Sequence, residues 1–284
     1  MNFKNITQGC FVSGAMWLLA MPACDSGTST PSTPAAAVET IADFAGAPTE
    51  TVAGAWACAG KAQGTATGGS IELNGYVRLL SDPDAKQPVP AATIEAFTAD
   101  GASLAKSGAD PSKAGRVSLS VAVMPTGFDG YAVISHDGFL DVRLQSSRKV
   151  VSTDMAGWAW LATQAEVDSR AKGIGIPLEA GKGLLVGAVH DCDGFGAANA
   201  VVVVGGKLEN AVLYAEGFDL VGARTFAADS GRFAVANLPA GPVTVKAYGR
   251  TKAGGKLQLL SKIDTTVVPG KMTAIDLAPR AAGQ

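Results

Sequence analysis

The amino-acid sequence predicts a mainly β protein, built as two tandem β-sandwiches joined by a short helical connector. Three observations predict it. Short runs of alternating apolar and polar residues recur from Ile71 onward, each bounded by glycine, proline or Asp-Gly turns, as half-buried strands require. Charged residues make up 17% of the 284 residues, against about 25% in an average globular protein, while glycine reaches 35. That balance favours strands and turns over surface helices. Third, the order of turns and strands in the first half recurs in the second.

The chain divides into a leader (1–23), a linker rich in Ser, Thr, Pro and Ala (24–53), a first sandwich (54–150), the helical connector (151–182) and a second sandwich (183–280). In the first sandwich GAWACAG (54–60) reads as a strand. SIELNGYVRLL, AATIEAF, SLAKS and GRVSLSVAVM follow as further strands. YAVISH and FLDVRLQ flank an Asp-Gly pair, which signals a hairpin. The second sandwich offers GLLVGAVHD, AVVVVGG, AVLYAEGF, ARTFAAD, GRFAVANL, GPVTVKAYG, LQLLSKI and MTAIDLAP. Between the halves, Met155, Trp158, Leu161, Ala162 and Ala165 share one helical face. This predicts a helix over 152–173, capped by Ser152 or Thr153 and ended by Gly173.

The stretch DSGRFAVANLPAGPVTVKAYG (229–249) shows the grammar best. A tight turn at 229–231 leads to Phe233 and Val235. The chain reverses over 237–241, and Val243, Val245 and Ala247 return on the same face at period two. The expectation is a hairpin with Phe233/Val235 opposite Val243/Val245, and with Arg232, Thr244 and Lys246 facing out. Overlaying the halves pairs Gly75-Tyr76-Val77 with Gly187-Ala188-Val189, residues 88–94 with 196–202, Gly115-Arg116-Val117 with Gly231-Arg232-Phe233, and residues 130–133 with 241–244. Two copies of one unit of roughly 80–95 residues explain this better than one barrel.

This skeleton resembles the carboxypeptidase regulatory-like, or transthyretin-like, β-sandwich. The matching motifs are GYV (75–77), PVPAATI (88–94) and GRV (115–117) in the first copy, and GAV (187–189), GAANAVV (196–202) and GRFAVANLPAGPVTVKAYG in the second. Ala91 and Asn199 stand where that family carries glycine; asparagine tolerates the left-handed backbone that glycine supplies. The resemblance implies a sandwich fold and no particular chemistry.

The N-terminus reads MNFKNITQGCFVSGAMWLLAMPACDSG. One lysine precedes an apolar run at about 11–20, too short to span a bilayer and typical of a secretory leader. Ala23 before Cys24, with leucines upstream, resembles a bacterial lipoprotein signal. That resemblance implies a diacylglycerol on Cys24 after cleavage, an extracytoplasmic location in the cell envelope, and the membrane as a partner. DSGTSTPSTPAAA (25–37) has the composition of a flexible spacer. Cys10 leaves with the leader, so Cys58 and Cys192 remain in an oxidising compartment. They either form a bridge closing roughly 134 residues, with about 4–5 kcal/mol in the chain-entropy model, or stay as separate buried thiols.

The sequence carries few signatures of chemistry. Net charge is −2, and no basic stripe argues for nucleic acid. There is no Gly-x-Ser-x-Gly elbow or zincin signature. GRTKAGGKL (249–257) has glycine where a phosphate loop needs lysine. His136 and His190 each precede an Asp-Gly-type turn and read as strand-end residues. In HDCDG (190–194), Asp191 and Asp193 are too few for a calcium loop. Tyr214, Phe218 and Phe226 read as core filling. No cofactor, metal or catalytic residue is expected. The reading is a non-catalytic, lipid-anchored envelope protein with a structural or binding role; its partner, a protein, glycan or peptide, is not specified. The alternatives are a carbohydrate- or peptide-binding module, for which Trp56 is the one mature tryptophan outside the helix, and an extracytoplasmic hydrolase.

Overall fold

The computed structural model describes residues 38–52, 56, 58–61, 64, 66, 69–82, 91–110, 115–123, 127–151, 156–206, 212–216, 219–221 and 224–279. The leader, Cys24, the spacer and Phe218 lie outside them. In chain order the elements are β1 (Thr40–Ile41), β2 (Ser70–Leu79), β3 (Thr93–Thr98), β4 (Ser103–Gly108), β5 (Arg116–Ala122), β6 (Gly130–Ser135), β7 (Val142–Ser146), β8 (Ala156–Leu161), α1 (Gln164–Gly173), β9 (Gly183–Val189), β10 (Val201–Val204), β11 (Val212–Glu216), β12 (Asp219–Val221), β13 (Arg232–Leu238), β14 (Gly241–Gly249), β15 (Leu257–Val267) and β16 (Met272–Leu277). The protein is mainly β. Among the described residues no helix is long and apolar enough to cross a membrane.

Three sheets form. A broad nine-stranded sheet runs β12-β11-β13-β9-β16-β7-β6-β3-β4; a three-stranded sheet runs β5-β2-β8; a four-stranded sheet runs β1-β15-β14-β10. The two smaller sheets face opposite sides of the broad one. Side-chain alternation decides this. Leu185 and Val189 of β9, with Ile275 and Leu277 of β16, enter a core shared with Val245 and Ile263 of the four-stranded sheet. Leu184, Val186, Met272 and Ala274 of the same two strands point the other way, into a core shared with Val77 and Leu119. Period-two geometry therefore lets β9 and β16 serve both cores. The apolar run of β9, GLLVGAV, with parallel pairing of β9 to β16 and of β16 to β7, suits strands buried on two faces.

The pairing plan repeats. β2 pairs antiparallel with β5 and parallel with β8, as β9 does with β13 and β16. β6 lies between β3 and β7, as β14 lies between β10 and β15. Close backbone approach marks Gly187 and Gly231 of the second copy. A Cβ on Gly187 would come within 2.7 Å of both the Ile275 carbonyl oxygen and the Phe233 ring. Asn199 adopts φ 64°, so asparagine does take the left-handed backbone at that turn.

Four expectations are corrected. The halves do not sit in series on a helical connector, because β16 inserts beside β7 and the broad sheet runs unbroken through both. The predicted helix over 152–173 is half strand: Ala156–Leu161 forms β8, and α1 begins only at Gln164. Its true start is a capping box, with Glu166 N–H donating to Thr163 Oγ1 and Glu166 Oε2 accepting from Thr163 N–H. In β8, Ala159 and Leu161 alternate into the core, so period two overrode the helical pattern. The third correction concerns Phe233 and Val243. β13 and β14 are not a paired hairpin but belong to different sheets, so Phe233 and Val235 meet Val245 across the sandwich rather than along a ladder. Fourth, residues 58–60 form a turn rather than a strand, and residues 224–229 carry no strand.

Candidate functional site

The densest polar cluster is the loop after β9. His190 closes onto it through two contacts, Nδ1 at 3.0 Å from the Gly194 carbonyl oxygen and Nε2 at 2.9 Å from Asp276 Oδ1. Asp276 sits at the end of β16, in register with Ala188 of β9 and Ser146 of β7. Both imidazole nitrogens thus face oxygen acceptors, and a neutral ring can donate to only one. Burial alone would lower the pKa of His190. The bond to Asp276 and its charge, with the Gly194 carbonyl and the Asp191 charge, outweigh that and raise it above the ordinary value.

This cluster does not supply a nucleophile and base. Ser146 Oγ approaches Asp276 Oδ2 at 3.5 Å, and Asp276 stands between serine and histidine. A Ser-His-Asp relay needs the imidazole in the middle, with one nitrogen on the hydroxyl. Asp191 is buried, and its Oδ1 accepts the backbone N–H groups of Asp193 and Phe195 at 2.9 Å each. Its carboxylate shapes the turn. Among the described residues no group of three or more His, Cys, Asp or Glu side chains is gathered as a metal site would require. His136 lies at the β6–β7 turn, with Nδ1 2.7 Å from the Asp137 carbonyl oxygen and its ring edge-on to Phe139. Tyr214 is buried in the second core, and its hydroxyl accepts the Val202 N–H at 2.8 Å.

The same loop is fastened to the N-terminal segment. Cys192 forms a disulfide with Cys58, their Cα atoms 5.8 Å apart. Ahead of Cys58, the segment crosses the four-stranded sheet as a strap. Thr40 and Ile41 pair with Gln258 and Leu257 of β15. Glu39 accepts from Lys246 Nζ at 2.7 Å and from the Tyr248 hydroxyl. The buried Arg250 donates to Asp43 Oδ1 and to the Pro48 carbonyl oxygen, both at 2.7 Å. Val52 then enters the second core. Apart from the disulfide, none of these partners was visible as a motif, because each joins residues about two hundred positions apart.

Along the first core a cleft of about 1520 Å³ opens, lined by Leu73, Leu144, Leu184, Val186 and Ala274, with Arg148 and Asp276 among its polar residues. Small-molecule sites usually enclose about 300–1,000 Å³. The size reflects a three-stranded sheet too narrow to cover the broad one.

No protein-family model matches the chain, and no curated protein matches its sequence. Among solved structures it is similar to the Bacillus anthracis TIE protein, with 12% identity and TM-score 0.25 over 74% of this chain and 34% of that one. A streptococcal ancillary pilin aligns at 12% identity and TM-score 0.21 over 75% of this chain and 63% of its own. GBS52, the minor pilin of Streptococcus agalactiae, gives 12% identity and TM-score 0.22 over 75% and 97%. The chain spans about a third of the first and under two thirds of the second. Values this low do not amount to a shared fold.

Proposed function

We propose that the chain is a non-catalytic protein of the cell envelope, tethered through a lipid on Cys24, with a structural or binding role outside the cytoplasm. Its body is two copies of the transthyretin-like sandwich of the carboxypeptidase regulatory-like kind, fused through one sheet; the repeated pairing plan supports this. The observation that carries the proposal is the strap. The segment following the anchor cysteine is held to the C-terminal half by β1, by Glu39 and Asp43, and by the Cys58–Cys192 bridge. A protein pulled through its N-terminus needs such fastening, and a disulfide implies an oxidising compartment. The experiment is metabolic labelling with an alkynyl fatty acid in a bacterial host. Label on the wild type, its loss in Cys24→Ala, and recovery in the membrane fraction are expected. An unlabelled wild type overturns the tether, and turnover of an ester, peptide or glycoside panel overturns the non-catalytic reading.

A further inference from the structure

The broad sheet is nine strands wide, and the four-stranded sheet covers only one end of that face. On the remaining part, β3, β6 and β7 carry an ordered column. Phe97 stacks on Tyr131, with centroids 5.1 Å apart and planes 14° from parallel. The Arg143 guanidinium lies on the same Tyr131, 3.5 Å from its centroid. Cross-strand geometry builds this: Phe97 faces Tyr131 in register, and Arg143 faces Val133, one rung along. Ser103 of β4 stands opposite Phe97 but turns its hydroxyl to Glu95, 2.7 Å away. Among the described residues, the outer side of the phenyl ring has no stacked neighbour.

Charge on this face does not balance locally. Glu95 is paired with Lys106 at 3.5 Å and Asp141 with Lys271 at 2.8 Å. Among the described residues Arg143 has no acceptor. Its Nε is shielded without a protein partner, and so is Oε1 of Gln145, two residues along on the same face. Gln145 does donate its amide to the Asp264 carbonyl oxygen at 3.3 Å. The face therefore presents a held planar cation, stacked on Tyr131, beside an aromatic platform.

We infer that this face binds an acidic oligosaccharide, with Arg143 receiving a uronic-acid carboxylate and Phe97 stacking on a neighbouring sugar ring. Arginine pairs with carboxylate in a planar fork. Tyr131 separates Phe97 from Arg143, so one sugar ring cannot reach both and a chain of rings is needed. An extended peptide usually adds to a sheet edge through its backbone, but β3, β6 and β7 are interior strands whose ladders are already paired. Recognition here runs through side chains. The inference goes beyond the envelope role and does not depend on the lipid.

Calorimetry on the full-length protein tests it, with trisaccharides of galacturonate and mannuronate, their methyl esters, a neutral galactose trisaccharide and hexaglutamate. At least one acidic trisaccharide is expected to bind. Esterification and Arg143→Gln should each weaken it tenfold or more, Arg143→Lys less, and Phe97→Leu severalfold. The ester comparison needs no variant, so a misfolded substitution cannot hide the answer. Absence of millimolar binding by either acidic sugar, equal binding of the esters, wild-type binding by Arg143→Gln, or hexaglutamate binding as tightly as the sugars would each overturn the assignment.

Discussion

The two halves follow one pairing plan and finish it differently. The core of the C-terminal half is sealed: among the described residues three partly buried apolar side chains flank it, against ten around the core of the N-terminal half. The sealed half also receives the strap, Val52 and the disulfide, while the other borders the 1520 Å³ cleft. Closure in a sandwich thus comes from what is added to the sheets as well as from the sheets. The C-terminal half gains a strand and a covalent tie from residues far upstream. The N-terminal half pairs its strand β7 with β16 and, among the described residues, gains neither.

The contrast can be broken by substitution. The largest effect belongs to the bridge: Cys58→Ser should lower unfolding free energy by about 4–5 kcal/mol, the chain-entropy value for so long a loop, read from urea denaturation. A loss below about 0.5 kcal/mol would make the strap ornamental. Phe233→Ala in the sealed core should cost about 3–5 kcal/mol, and Leu144→Ala beside the cleft at most about 2 kcal/mol. Equal costs would erase the difference between the cores. Arg250→Ala leaves the Pro48 carbonyl without its donor, and about 1–3 kcal/mol should be lost. The smallest effect is the pH dependence of His190. Its folded pKa is raised above an ordinary value of about 6.5. The stabilisation is therefore complete below about pH 6.5 and is lost as pH climbs through the raised value. Wild type should lose more stability than His190→Gln between pH 5.5 and 8.5; parallel curves would contradict it.

Much of the strand order was legible in the sequence, because alternation in stretches such as GRVSLSVAVM and turns such as Asp137-Gly138 are local signals. The hairpin between β6 and β7 follows directly from them. Sheet membership was not legible. Nothing within residues 229–249 says that β13 and β14 part into different sheets, since the same inward face serves a hairpin and a crossing. β8 was hidden because Trp158, Leu161 and Ala165 also fit a helical spacing, whereas the Thr163–Glu166 capping box was present and would have placed the helix start correctly. The ionic strap and the His190–Asp276 contact were beyond reach for a simple reason: single charges carry no pattern, and only the three-dimensional fold brings them together.

The central claim is that β9 and β16 belong to both cores and make the halves one body, with the C-terminal half the firmer. Native-state hydrogen exchange of the full chain tests it most directly. The account predicts that amides of β2, β5 and β8 exchange first through partial opening, while β9, β14, β15 and β16 open together at the highest free energy. Early exchange along β7 and β16, leaving two independently protected halves, would contradict it.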